Sequence, residues 1–211
     1  MFYETAANDH GLPRDPYKAL ILPRPIGWIS TLSKDGVCNI APYSFFNAIS
    51  EKPHYVIFGS ATAKDSVRNI EETGEFVCSL STYDLRGEMN VTSAAVPHGV
   101  DEFPLSGLTA VKSQLVAPPR VKESPAALEC KHWKTIELPP AVPGGKHGSF
   151  AVIGLVVGIY IDDAALKDGF VDTARLMPLS RLGYMDYSWV SGETMVTINR
   201  PEVDADGKVK V

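Results

Sequence analysis

The segment RPIGWISTLSKDGVCNIAPYSFFNAIS, Arg24 to Ser50, decides the class of fold. From Ile26 to Leu32 apolar and β-branched residues follow one another without a helical period, Lys34-Asp35-Gly36 interrupts them, and the run resumes at Val37. An Asp-Gly pair supplies the positive φ that a tight turn between antiparallel strands requires, so the segment reads as a β-hairpin.

Working outward, HYVIFGS (His54 to Ser60) reads as a third strand, rich in β-branched and aromatic residues. From Asp65, Val67 and Ile70 fall three apart and Gly74 follows Thr73, the pattern of a short helix stopped by a left-handed glycine. EFVCSLS (Glu75 to Ser81) is the next strand, and DLRGEMNVTSA from Asp84 reads as helical. The Pro- and Gly-punctuated passage from Pro97 to Pro125 reads as a surface loop or arm, and AALECKHWKTIEL after it as a long strand. FAVIGLVVGIYI (Phe150 to Ile161) is too short to cross a bilayer and reads as a buried strand, with Gly154 and Gly158 marking a bulge or a close approach. Beyond it come a short helix in DDAALKDG, the stretch RLMPLSRLGYMDYSWV and a last strand in TMVTINRP. The count, about seven or eight strands against two or three short helices, belongs to a mainly β barrel or sandwich. No βαβ alternation and no Gly-x-Gly-x-x-Gly after a strand is present, which argues against a Rossmann domain.

The 211 residues suit one domain, 1–211, with an N-terminal arm over about 1–21. A net charge of -5 and the lack of a Lys/Arg cluster exclude a nucleic-acid surface. Cys38, Cys78 and Cys130 are widely spaced and unpaired in sequence, as reduced core thiols are. CKH at Cys130 to His132 lacks a second ligand pair, so no metal site is expected. The N-terminus carries acids and prolines where a signal peptide carries a basic stretch and an apolar core, and a cytoplasmic location without membrane attachment is expected. PPAVPGGKHGS (Pro139 to Ser149) is not a Walker loop, because Lys146 precedes His147 and a strand; it reads as a hairpin loop.

Two segments carry groups suited to a ligand. GSATAKDSVRNI (Gly59 to Ile70) offers the hydroxyls of Ser60, Thr62 and Ser66, the ammonium of Lys64, and backbone N–H groups at a helix N-terminus, which together suit a phosphate. The same residues also read as an ordinary helix start, with Asp65 or Ser66 as the cap and Lys64 solvated. NIAPYSFFNAIS (Asn39 to Ser50) interleaves Asn39, Ala41, Ser44 and Asn47 with Tyr43, Phe45 and Phe46, a mixture suited to a flat heteroaromatic ring or to a core bend with buried aromatics. The intervening strand could set the two a flavin's length apart. No Gly-x-Ser-x-Gly elbow and no acidic pair beside a pocket signal occurs, so chemistry would fall to a cofactor.

RPIGWISTLSKDGVCNIAPYSFFNAIS and KDSVRNIEETGEFVCSL, together with MNVTSAAVPHGVDEFPLSGLT, PPRVKESPAALEC and RLGYMDY, resemble the flavin reductase-like FMN-binding split-barrel proteins, which include flavoredoxins and the reductase partners of two-component monooxygenases. The resemblance runs from about Leu22 to Pro201. It implies a Greek-key split β-barrel with a few short peripheral helices, forming a homodimer that binds FMN non-covalently near the interface. It implies that Ser60, Thr62, Lys64, Asp65 and Ser66 surround the phosphate, with Asp65 ordering the loop, and that Asn39, Ala41, Pro42, Tyr43, Ser44 and Asn47 border the ring; Asn90 is a further flavin-side candidate. The family often carries two glycines where this chain has Gly183-Tyr184, so Arg181, Tyr184 and Tyr187 become candidates for a cap over the site. The activity implied is transfer of electrons from NADH or NADPH to free flavin, a flavin-dependent monooxygenase or another redox protein. A flavoredoxin-like carrier without nicotinamide activity, or a non-catalytic flavin-binding module, fits the same resemblance.

Overall fold

The computed structural model describes residues 1–140 and 148–210, so most of the Pro139–Ser149 loop, with Lys146 and His147, lies outside the described residues. The Arg24–Ser50 segment forms the expected hairpin: β1 (Gly27–Leu32) pairs antiparallel with β2 (Cys38–Tyr43) across a turn in which Gly36 holds φ +81°. The chain continues through β3 (Phe46–Ser50), β4 (Tyr55–Ser60), helix α1 (Asp65–Thr73) and β5 (Glu75–Leu80). Helices α2 (Arg86–Val91) and α3 (Glu102–Ser106) follow, then the long pair β6 (Ala126–Glu137) and β7 (Phe150–Ile161).

These strands make a seven-stranded antiparallel sheet in the order β2-β1-β5-β6-β7-β4-β3. Its two edges, β2 and β3, are consecutive in the chain and joined only by Ser44 and Phe45. The sheet curls until those edges meet: the ring of Tyr43 on β2 lies 4.7 Å from that of Phe58 on β4, and Phe46 on β3 covers Gly27 on β1. A Cβ on Gly27 would stand 2.5 Å from the Phe46 ring, so only glycine permits the contact. The mainly β split barrel expected from the sequence is the fold present.

Inside the barrel Ile29, Val56, Phe58, Phe76 and Val152 form the core, and α1 closes one end with Val67 and Ile70. The glycines of β7 act as the sequence suggests. Ladder irregularities fall at Ile153/Gly154 and Val156/Gly158, and a Cβ on Gly154 would come within 2.3 Å of Phe76, so the close approach is by a ring rather than a backbone. Only the first half of β7 is buried, however; Ile159 and Ile161 are exposed.

The Pro97–Pro125 passage is no surface loop. It contains α3 and a short strand pair, Ala110–Val111 with Arg120–Val121, and sends Phe103, Leu108 and Val121 into a second core against Met89 of α2 and against Trp28 and Ile40 on the outer face of β1 and β2. Its prolines and glycines end short elements, which says nothing about burial. DDAALKDG gives a single 3₁₀ turn, Asp163–Ala165, and a two-residue hairpin, Leu166–Lys167 with Phe170–Val171, because Asp168-Gly169 turns the chain back. The strand expected in TMVTINRP does not form: Val196 and Ile198 are exposed and pair with no strand among the described residues. Two further strands, β8 (Leu179–Arg181) and β9 (Tyr187–Trp189), join Arg24–Pro25 in a small sheet beside the barrel. Among the described residues no helix is long and apolar enough to cross a membrane.

Candidate functional site

The helix start in GSATAKDSVRNI is uncapped. Lys64, not Asp65 or Ser66, occupies the N-cap position, and its side chain has no oxygen with which to accept from the first turn. The expected caps face elsewhere. Asp65 accepts from Arg68 Nη2 at 2.5 Å and from the Gly99 N–H at 3.4 Å, and its Oδ1 lies 2.8 Å from His98 Nδ1. Partial burial opposes ionisation of this carboxyl, but the His98, Gly99 and Arg68 contacts outweigh it and hold its pKa below the ordinary range. Asp65 thus ties the α1 start to the 98–99 turn. Ser66 is buried and its Oγ accepts from Asn39 Nδ2 at 2.9 Å, within a network that extends through Thr31 to Asn69.

With the caps withdrawn, the first N–H groups of a nine-residue helix open toward a cleft of 880 Å³. Ser60, Thr62, Lys64, Asp65 and Ser66 all line it. Ser60 Oγ donates to the Thr62 carbonyl at 2.7 Å, which folds the loop after β4 back on itself. Lys64 is exposed and forms no ion pair among the described residues.

The adjoining wall comes from β2 and the seam. Asn39, Ala41, Pro42, Tyr43 and Ser44 line the same cleft, as does Phe45 beside Gly59. Tyr43 is only 8% exposed, and its hydroxyl, itself buried, has no hydrogen-bond partner among the described residues. Burial raises its pKa, and the hydroxyls of Ser66 and Ser60, close but outside bonding geometry, offset this only in part, so the phenol stays neutral and able to donate.

Other expected residues fall outside the cleft. Asn47 is exposed on β3, with its Oδ1 accepting from the Ala48 N–H, and Asn90 is exposed on α2. Arg181 and Tyr187 hydrogen-bond to each other and border a small cavity of 100 Å³ that adjoins the cleft at Pro42, Ser44 and Ser93, whereas Tyr184 lines neither space. Tyr184 holds φ +54°, the left-handed region that favours glycine.

Sequence reasoning missed several cleft residues. The turn Thr92–Val96 reaches the cleft because Thr92 Oγ1 accepts from the buried Trp28 Nε1 at 2.9 Å, a contact across 64 positions that no local pattern announces. Glu102, 6% exposed, lines the cleft while accepting from the Ile40 N–H at 3.0 Å. Its burial pushes the carboxyl pKa up, against the Ile40 bond, and Asp101 and Asp65 add to the rise. Tyr17 and Lys18 also reach the cleft, from the N-terminal arm.

A family profile described as "Flavin reductase like domain" matches residues 19–186, which leaves the last part of the expected Leu22 to Pro201 span outside it. An uncharacterized protein of Halalkalibacterium halodurans is 36% identical over 198 residues, 90% of this chain and 93% of its own, and an uncharacterized protein of Aquifex aeolicus is 34% identical over 185 residues, 85% and 90% of the two chains. Among solved structures, nitrilotriacetate monooxygenase component B of Bacillus cereus is 28% identical with a TM-score of 0.81, covering 93% of this chain and 98% of that one. Flavoredoxin of Desulfovibrio vulgaris shares the fold with a TM-score of 0.73 at 24% identity, over 84% of this chain and 91% of its own. With the profile spanning the whole barrel and the α1 loop, the chain belongs to the flavin reductase-like domain family, whose members are flavin-linked redox proteins.

Proposed function

We propose that the protein is an FMN-dependent reductase that takes electrons from NADH or NADPH and delivers them to free flavin or to a partner such as a flavin-dependent monooxygenase. The observation that carries this reading is the uncapped start of α1 at a cleft that Lys64, Thr62 and the Asn39–Ser44 segment line together. A phosphorylated flavin fits it, because its phosphate would satisfy the free N–H groups while its ring lay along Asn39 to Ser44. Nitrilotriacetate monooxygenase component B, by its name a component of a monooxygenase, and the flavoredoxin support the same chemistry.

When bound, the flavin supplies acceptance of hydride and release of electrons. The chain's own residues bind and orient it. Lys64 supplies the positive charge for the phosphate, Thr62 and Ser66 its hydroxyl donors, and the α1 N–H groups the partial positive charge, while Ser60 shapes the loop through its bond to the Thr62 carbonyl. Asp65, already engaged by His98, Gly99 and Arg68, holds the loop in place rather than facing the anion. Asn39 through Ser44 form the wall for the ring, with Tyr43 fixed against Phe58 behind it. A homodimer in the cytoplasm is the assembly that goes with this reading.

Lys64→Ala removes a charge-assisted contact worth about 1.5–3 kcal/mol, so FMN binding weakens roughly ten- to hundredfold while the circular dichroism of the apoprotein is unchanged. Unchanged FMN occupancy in a Lys64→Ala, Ser66→Ala double variant refutes the phosphate assignment. Stopped-flow mixing of the FMN-loaded protein with NADH or NADPH tests the donor: bleaching of the flavin absorbance is expected, and bleaching by dithionite alone marks a carrier without nicotinamide activity.

A further inference from the structure

The N-terminal arm is held in place at unusual cost. Arg24, 6% exposed, donates through Nη1 to the carbonyls of Lys18 at 2.6 Å and Ile21 at 2.5 Å, and through Nη2 to the carbonyl of Leu182 at 2.8 Å. It has no carboxylate partner among the described residues, and its Nε is unpartnered. A buried guanidinium answered only by carbonyls is a poor source of stability, and such groups persist where they enforce a particular geometry. Two further contacts fasten the same segment. A Cβ on Gly183 would stand 2.7 Å from the Cβ of Ala19, so the arm lies directly on that glycine, and the Arg14 guanidinium sits 5.8 Å over the Tyr184 ring. The Gly183-Tyr184 loop is therefore a seat for the arm.

What the arm delivers to the cleft is an aromatic and a cation, Tyr17, 54% exposed, and Lys18, which forms no ion pair among the described residues. Phe45, exposed in the same cleft, lies under Arg24 at 5.8 Å. The α1 start already has the lysine, hydroxyls and N–H groups that one phosphate needs, and 880 Å³ lies near the top of the usual range for a small-ligand pocket. We propose that the arm forms the outer wall of a second-ligand subsite, where Lys18 meets the diphosphate and Tyr17 a flat ring of the incoming nicotinamide nucleotide, and that Arg24 is the positioning residue that seats the arm. This rests on the reductase reading above.

The test uses full-length, FMN-loaded protein. Calorimetric titration with NAD⁺ and NADP⁺ reads the subsite without turnover, flavin fluorescence reads the FMN dissociation constant, and steady-state kinetics separates KM from kcat. Lys18→Ala is expected to weaken nucleotide binding and raise the KM for the reduced nucleotide about tenfold, with kcat and the FMN dissociation constant within about twofold, and Lys18→Arg to restore most of the loss. Arg24→Met and Gly183→Ala, the second altering no charge, are expected to reproduce the KM effect and to speed tryptic cleavage after Lys18, because both release the arm. Nucleotide binding in wild type that Lys18→Ala leaves unchanged overturns the arm assignment alone. An equal loss of FMN binding in Lys18→Ala also overturns it, by assigning Lys18 to the flavin. A wild-type protein that retains FMN but binds neither NAD⁺ nor NADP⁺ overturns the arm assignment and the nicotinamide reading together.

Discussion

Tyr43 shows how far a single residue can be read. Its place in NIAPYSFFNAIS suggests a ring-binding segment, but the same letters suit a buried core bend, and the structure makes both descriptions true: the ring packs on Phe58 and the hydroxyl is left unpaired beside the cleft. An unsatisfied buried hydroxyl costs about 1–3 kcal/mol, so Tyr43→Phe is expected to stabilise the apoprotein by about 1 kcal/mol in denaturant unfolding. If the hydroxyl donates to bound FMN, the same substitution weakens FMN binding about five- to tenfold; higher stability with unchanged FMN affinity would mark it as a packing defect. Tyr184 was legible only as a departure from a glycine pattern. Its left-handed φ explains why glycine suits that position, but its side chain serves the arm and not the cleft, because Ala19 and Arg14 occupy that side of the loop.

Among the elements, the strands were the most readable, since runs of β-branched and aromatic residues and the Asp35-Gly36 turn act locally. The start of α1 was readable in position but not in its capping, because Asp65 is recruited by His98 and Gly99, 33 and 34 positions away. The Pro97–Pro125 passage was misread because its elements are shorter than the windows in which periodicity shows, and its burial depends on an outer face of β1 and β2 that exists only after the sheet forms. Helix α3 pins that face through Glu102, whose carboxylate satisfies an N–H of an edge strand. Its folded pKa lies above the ordinary value near 4.5, so the folded state binds more protons than the unfolded chain between those two values, and stability falls as pH rises through that window. Asp65, Glu75 and Glu123 are held low and contribute the opposite slope, with stability lost as pH falls into the acid range. Glu102→Gln is expected to flatten the decline on the neutral side while leaving the acid loss intact, measured by urea unfolding from about pH 4 to 8.

For the molecule as a whole, the barrel class followed from the sequence, and the closure of the barrel did not. The strand order depends on β6 and β7 inserting between β5 and β4, and on glycines at 27 and 154 whose partners, Phe46 and Phe76, lie in other strands. The cleft is correspondingly a composite of the arm, the seam, the α1 loop and the turn after α2, of which the sequence disclosed the second and third.

The two edges of the sheet are adjacent in the chain, and the link between them is only Ser44 and Phe45. Beyond that link the two edges share no strand ladder among the described residues, and the Gly59 N–H on the Phe45 carbonyl at 2.7 Å fastens the link to β4, whereas β6 and β7 pair along their whole length. Local opening is therefore expected at the seam before the β6–β7 ladder, and the seam lies on the cleft wall. Backbone amides at Ser44, Phe45 and Gly59 are expected to exchange with deuterium faster than those of β6 in the apoprotein, and FMN is expected to slow the seam selectively. Uniform protection of both regions would mean that the barrel opens only as one unit, and that a ligand must enter through the mouth of the cleft.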